Sequence, residues 1–151
     1  GYVHKPYPPI YAALCEKVGF SSSLLIRGVE GGVVPSLRQK GLMISYHKGV
    51  EKAQVNIDPK LLGISSELRA IAFPKRFENG KERALLAEHT VNLGHSALSG
   101  ESGLFYDGLV YSASLILWHI GKSKTLPAAA DRVREVLNSG KSLNRLEAKS
   151  L

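Results

Sequence analysis

Apolar and polar positions alternate along this chain in two rhythms, and each predicts a different element. Ile10, Ala13, Leu14 and Val18 recur at helical spacing and Gly19 follows as a stop, so a helix is predicted over 10–18. Pro6, Pro8 and Pro9 are expected to keep the residues before it extended or turning. Leu24-Leu25-Ile26 is a short unbroken apolar run ending in Arg27-Gly28, the pattern of a buried strand followed by a glycine turn. Over 42–57 the rhythm becomes strict alternation. Leu42, Ile44 and Tyr46 interleave with Met43, Ser45 and His47, and Ala53, Val55 and Ile57 interleave with Gln54 and Asn56. With the turn-forming His47-Lys48-Gly49-Val50 between them, the two runs predict a hairpin. Asp58-Pro59 closes it, and a single helical turn is expected near Leu61–Leu62.

The last seventy residues return to the helical period. Ala84, Leu85, Glu88, Val91 and Leu98 predict a helix from about Glu82 to Leu98, weakened by Gly94. After the loop Ser99–Gly103, the residues Leu109, Ala113, Ile116, Leu117 and Ile120 predict a second helix, expected to bury that broad apolar face. Thr125 with Pro127 in the first turn starts a third. Its Leu126, Ala129, Ala130, Val133, Val136 and Leu137 form the apolar side, and Gly140 ends it. Ser142 is expected to cap a last turn through Leu146. The order predicts an α/β fold: a small mixed sheet with a hairpin, covered by helices.

Composition narrows the function classes. The chain has 151 residues, 44 % hydrophobic and 22 % charged, which is ordinary for one globular domain and unlike a disordered chain. A single cysteine, Cys15, excludes an intrachain disulfide and a cysteine-rich zinc site; it reads as a small core side chain, with a nucleophile as the alternative. No run approaches the length of a membrane span. The five histidines show no metal-ligand spacing, and His119 reads as a packed or exposed helix residue. Glu101 and Asp107 lie near a helix start, where carboxylates favour the macrodipole.

The net charge is +7, and residues 1–75 carry ten basic against five acidic residues. Such a field attracts polyanions: nucleic acid, phosphorylated small molecules or an acidic partner. The basic residues are scattered, so a solvated surface and a phosphate-facing groove both remain open. Gly28-Val-Glu-Gly-Gly32 follows a predicted strand, where glycines can present backbone N–H groups to a phosphate; a plain turn is the other reading.

Three stretches in order resemble the anthranilate phosphoribosyltransferase family, within the broader glycosyltransferase family 3. Tyr11 to Gly32, "YAALCEKVGFSSSLLIRGVEGG", resembles the family's helix, buried strand and "HG-x-x-GLDE" turn. Ile57 to Ile64, "IDPKLLGI", is similar to its "DPE-x-LG" segment. From Ala97 to Glu147 the chain resembles the "LSGEKGP-x-RD-x-x-LNAA" helix pair and the closing "SGKA-x-x-x-LE". The resemblance implies the C-terminal part of the family's phosphoribosyltransferase-like α/β domain over 1–151. The helical domain and the first half of the α/β domain, with the "GTGGD" loop, would then precede Gly1.

The implied activity of the intact parent is transfer of phosphoribosyl from phosphoribosyl pyrophosphate to an aromatic amine, in tryptophan biosynthesis and with magnesium. The fragment alone is not expected to catalyse. The implied phosphate-binding residues are Arg27, Gly28, Glu30, Gly31, Gly32 and Arg38, and Gly31 is expected to need a positive φ. No catalytic residue is assigned. The family's metal-holding Asp-Glu pair falls on Val33 and Val34, which cannot coordinate magnesium, and its "LNAA" asparagine on Ser112. The alternative is therefore a non-catalytic relative that binds nucleic acid through a basic cleft; a scaffold half without its own ligand is a third. A cytoplasmic or plastid-stromal setting, no membrane, and a homodimer through the missing N-terminal domain complete the expectations.

Overall fold

The computed structural model describes residues 1–29, 32–70 and 83–148. The elements run α1 (Tyr7–Lys17), β1 (Ser22–Ile26), β2 (Gly41–His47), β3 (Val50–Ile57), a 3-10 turn (Pro59–Leu62), α2 (Arg83–Leu98), α3 (Leu104–His119), α4 (Leu126–Asn138) and α5 (Lys141–Glu147). This is the expected α/β class, with a small sheet, a hairpin and helices. The described strands lie in the order β1-β2-β3 and pair antiparallel throughout.

The sheet is two-faced because side chains alternate along each strand. One face carries Leu24 and Ile26 of β1, Met43 of β2, and Val55 and Ile57 of β3. These meet Val110, Tyr111 and Leu115 of α3 and Ala130, Val133 and Leu137 of α4 in the main core. The other face carries Leu25, Ile44 and Tyr46, which pack with Tyr2 and with Ala12 of α1. Both faces of β1 are thus covered, which is why its sequence is a continuous apolar run rather than an alternating one.

The hairpin turns at Lys48 and Gly49, both at positive φ (48° and 70°), the two-residue geometry whose twist matches the strands. A bulge between Ser45 and Tyr46 leaves Lys52 as the extra residue of β3. Asp58 accepts from the Lys60 N–H at 3.0 Å and so starts the 3-10 turn where a short helix is expected. Thr125 caps α4 through the Ala128 N–H at 3.3 Å.

Several helix faces differ from expectation. α1 begins at Tyr7 and takes Pro8 and Pro9 into its first turn, where no backbone N–H has an intrahelical acceptor and proline costs nothing. It buries Pro8 and Ala12, while Ile10, Leu14 and Val18 point outward, and Cys15 is half-buried. α3 is apolar on two sides. The core takes Tyr106, Val110, Tyr111, Ser114 and Leu115; of the expected face, Ala113 and Leu117 are partly buried against that core, while Leu109, Ile116 and Ile120 are exposed. On α2, Leu85 and Val91 are likewise exposed. α4 buries most of its expected side, leaving Val136 partly out. The last helix starts at Lys141, with Gly140 rather than Ser142 at its cap position.

Tyr111 is fully buried in the main core, and among the described residues its hydroxyl has no hydrogen-bond partner. Burial, helped by the negative charge of Asp58, raises its pKa far above the usual phenol value. An unmatched buried hydroxyl costs about 1–3 kcal/mol. Tyr111→Phe is expected to stabilise the protein by about 1 kcal/mol, read as a rise of a few degrees in melting temperature. A fall would show that the hydroxyl is hydrogen-bonded in solution.

Candidate anion-binding site

Antiparallel register brings three positions to one end of the α1-facing side of the sheet. The Arg27 N–H bonds the Leu42 carbonyl at 3.1 Å, and Leu42 pairs with Asn56 on β3. Beyond Arg27 the chain turns sharply. The Val29 N–H bonds the Val34 carbonyl and the Gly32 N–H bonds the Val29 carbonyl, both at 2.9 Å. Gly28 sits inside this turn. A Cβ there would lie 2.1 Å from the Gly32 carbonyl oxygen and 2.7 Å from that of Val34, so only glycine fits.

Past the buried Pro35, the Ser36 hydroxyl accepts from the N–H groups of Arg38 (3.3 Å) and Gln39 (3.0 Å), shaping a second turn. The buried Leu37 ties this turn to a distant segment, its N–H donating to the Arg69 carbonyl at 3.0 Å. That bond carries the Arg69 side chain to the same place as Arg27 and Lys40. The result is a cleft of about 460 Å³ lined by Arg27, Gly28, Val29, Ser36, Gln39, Lys40, Gly41, Leu42, Asn56 and Arg69.

Three cations, a hydroxyl and two amides converge there, and among the described lining residues none is acidic. Lys40 also meets Asp58 at 3.4 Å, though its own side chain is largely exposed. The Arg27 charge reaches Tyr2 as well. Burial pushes the Tyr2 phenol up, and the guanidinium pulls it partly back. Such a donor set is chemically suited to a polyanion, which it could meet with charge-assisted hydrogen bonds.

Of the residues named from sequence, Arg27 and Gly28 line this cleft. Gly32 helps to close the turn behind it. Arg38 faces a separate small cleft with Lys60, Ser65 and Glu67, where its guanidinium donates to the Glu67 carbonyl at 3.2 Å. Glu30 and Gly31 lie outside the described residues, and the positive φ expected of Gly31 with them. Lys40 and Arg69 carry no motif in the sequence; a tertiary bond, not a local pattern, brings Arg69 in. Two basic residues of α4 are committed elsewhere. Arg134 donates to the Leu62 carbonyl and lies 3.7 Å from Asp131, and Arg132 donates to the Lys122 carbonyl.

No family model matches the chain. It is 27 % identical over 133 residues to an uncharacterized protein of Aquifex aeolicus, an alignment covering 87 % of this chain and 38 % of that protein. It is 25 % identical over 135 residues to an anthranilate phosphoribosyltransferase of Bacillus cereus, and 28 % identical over 139 residues to the protein of that name from a second strain of the species. Each alignment covers 89 % of this chain and 36 % of the relative. The likeness to anthranilate phosphoribosyltransferases is distant. The chain spans a little over a third of the length of these relatives.

Among the described residues, which do not include Glu30 of this turn, the donors do not fit the magnesium that the resemblance implies. Magnesium takes oxygen ligands, usually with one or two carboxylates. Val33 and Val34 are exposed apolar side chains at the place of the acidic pair. Among the described residues no group of three or more His, Cys, Asp or Glu could hold a metal ion. Asp58, the acidic partner of Lys40, already accepts from the Lys60 N–H. Among the described residues, no helix is long and apolar enough to cross a membrane.

A second polar cluster joins the helices to the sheet. His119, at the end of α3, meets the Ser45 hydroxyl through Nδ1 at 3.0 Å and the Ser22 hydroxyl through Nε2 at 2.6 Å. The Ser22 hydroxyl also faces the Tyr46 carbonyl at 3.4 Å. With Ser45 donating to Nδ1, Nε2–H donating to Ser22 and Ser22 donating onward, every proton in the chain has an acceptor. That is a neutral imidazole in a structural bridge, and burial lowers the pKa of His119. The unfolded chain therefore binds this proton at higher pH than the folded one. Stability from His119 is complete above the ordinary histidine range and is lost as pH falls through it toward the lowered folded value. Denaturation midpoints are expected to fall on mild acidification, and His119→Asn is expected to flatten that part of the pH profile.

Proposed function

We propose that this chain is part of a phosphoribosyltransferase-like protein in which the Arg27–Lys40–Arg69 cleft binds the phosphate groups of its ligand. One observation carries the reading: Arg27 and Lys40, from the two ends of one turn, and Arg69, from a distant segment, line one cleft without an acidic residue among those described. The distant likeness to anthranilate phosphoribosyltransferases supports phosphoribosyl pyrophosphate as that ligand, with an aromatic amine as acceptor in the intact protein. Its pyrophosphate group matches the donor set, since arginine forks pair well with phosphate oxygens. The outward apolar side chains of α1, α2 and α3, including Ile10, Leu14, Val18, Leu85, Val91 and Ile116, suit a domain that continues beyond these residues and covers them.

A second reading, nucleic-acid binding without catalysis, is favoured by the exposed Val33 and Val34 at the place of the acidic pair and by the charge of +7. Calorimetric titration of the intact protein distinguishes the two. Phosphoribosyl pyrophosphate and inorganic pyrophosphate are expected to compete for one site, and turnover with anthranilate tests the transfer itself. Single-stranded oligonucleotide that binds with a steep salt dependence, and that pyrophosphate does not displace, would replace the first reading with the second. No binding of either anion would overturn both.

A further inference from the structure

Resting on the anion-cleft reading above, the structure assigns a metal-free mode of binding: the cleft takes its pyrophosphate group as the free anion, with Arg27, Lys40 and Arg69 supplying the neutralising charge that a divalent cation would otherwise bring. The negative charge of the anion requires one or the other. A pyrophosphate group leaves water only where positive charge replaces its hydration. Proteins that take up magnesium with a phosphate ligand usually supply one or two carboxylates, and no acidic residue is among the described lining. The turn that leads away from Arg27 carries exposed Val33 and Val34, which hold no cation.

The side chains fit the free anion instead. Arg27 and Lys40 stand at the two ends of the turn between β1 and β2, and Arg69 is held opposite by the Leu37–Arg69 backbone bond. Gln39 and Asn56 add neutral amide donors, and the Ser36 hydroxyl adds another. A lining of this kind discriminates by charge. Magnesium chelates pyrophosphate and cancels part of its negative charge, so the chelate is the poorer ligand for a purely cationic cleft. The usual dependence is thereby inverted: magnesium competes with the protein for the anion.

The experiment is calorimetric titration of inorganic pyrophosphate into the intact protein at constant ionic strength, once with EDTA and once with excess magnesium chloride. Binding is expected to be several-fold tighter in EDTA. Arg69→Ala is expected to weaken the EDTA complex about tenfold, because one charge-assisted contact is lost. The Arg69 side chain is exposed, so that variant is expected to fold, which unchanged thermal unfolding confirms. Equal or tighter binding in magnesium overturns the metal-free mode. Absence of binding in both buffers overturns the anion-cleft reading beneath it, so the two failures are told apart.

Discussion

Gly28→Ala is expected to destabilise the protein by about 2–3 kcal/mol and to lower its melting temperature by roughly 5–10 °C. The added methyl group would lie 2.1 Å from one carbonyl oxygen and 2.7 Å from another. Both atoms are backbone, so no side-chain rotation relieves the clash. The turn itself must open, and its bonds from Val29 to Val34 and from Gly32 to Val29 are what hold it shut. Gly32→Ala is the matched control. Among the described residues its Cβ would meet the Val29 carbonyl alone, at 3.2 Å, which a small adjustment accommodates, so its effect is expected to stay below about 1 kcal/mol. Thermal unfolding of the pair measures the difference. Equal, small shifts would show that the turn opens easily and that the cleft wall behind Arg27 is soft.

The contrast between these two glycines shows which parts of the molecule a linear reading reaches. The strand ending in Arg27-Gly28, the hairpin turning at Lys48-Gly49 and the Thr125 cap are all legible, because each is set by neighbours in sequence. Faces are harder. In α3, Val110, Tyr111 and Leu115 lie on one side and Leu109, Ile116 and Ile120 on another, and both sets recur at helical spacing. Periodicity alone cannot choose between them; the sheet does, by offering Met43 and Ile57 to one side only. On α1 the apolar period marks residues that these strands leave exposed, while the small Ala12 lets the helix lie close to Leu25 and Ile44.

The site is legible in the same proportion. Arg27 and Gly28 follow from the strand and its turn, but Arg38 and Lys40 look alike in sequence and differ in space. Arg38 bonds the Glu67 carbonyl, whereas Lys40 reaches the cleft one step before β2. Arg69 has no local signal at all. It belongs to the site because Leu37, buried in the main core, fixes the segment that carries it.

Reversing two of those charges gives the largest expected functional effect. Arg27→Glu with Arg69→Glu is expected to weaken pyrophosphate binding by about a hundredfold or more, since each charge-assisted contact contributes about 1.5–3 kcal/mol and about 1.4 kcal/mol is a factor of ten. Both side chains are exposed, so the folded core should tolerate the change. A built site would make position matter more than net charge. Arg132 and Arg134 lie on α4 and donate to carbonyls of their own chain, so Arg132→Glu changes the protein's charge without entering the cleft. If binding followed the overall field alone, that variant would weaken it in proportion and high salt would erase the difference. If the cleft binds the anion, Arg132→Glu leaves affinity nearly unchanged while the double reversal weakens it by about a hundredfold or more. Titrations of the three proteins at low and moderate salt separate a built site from a diffuse basic surface.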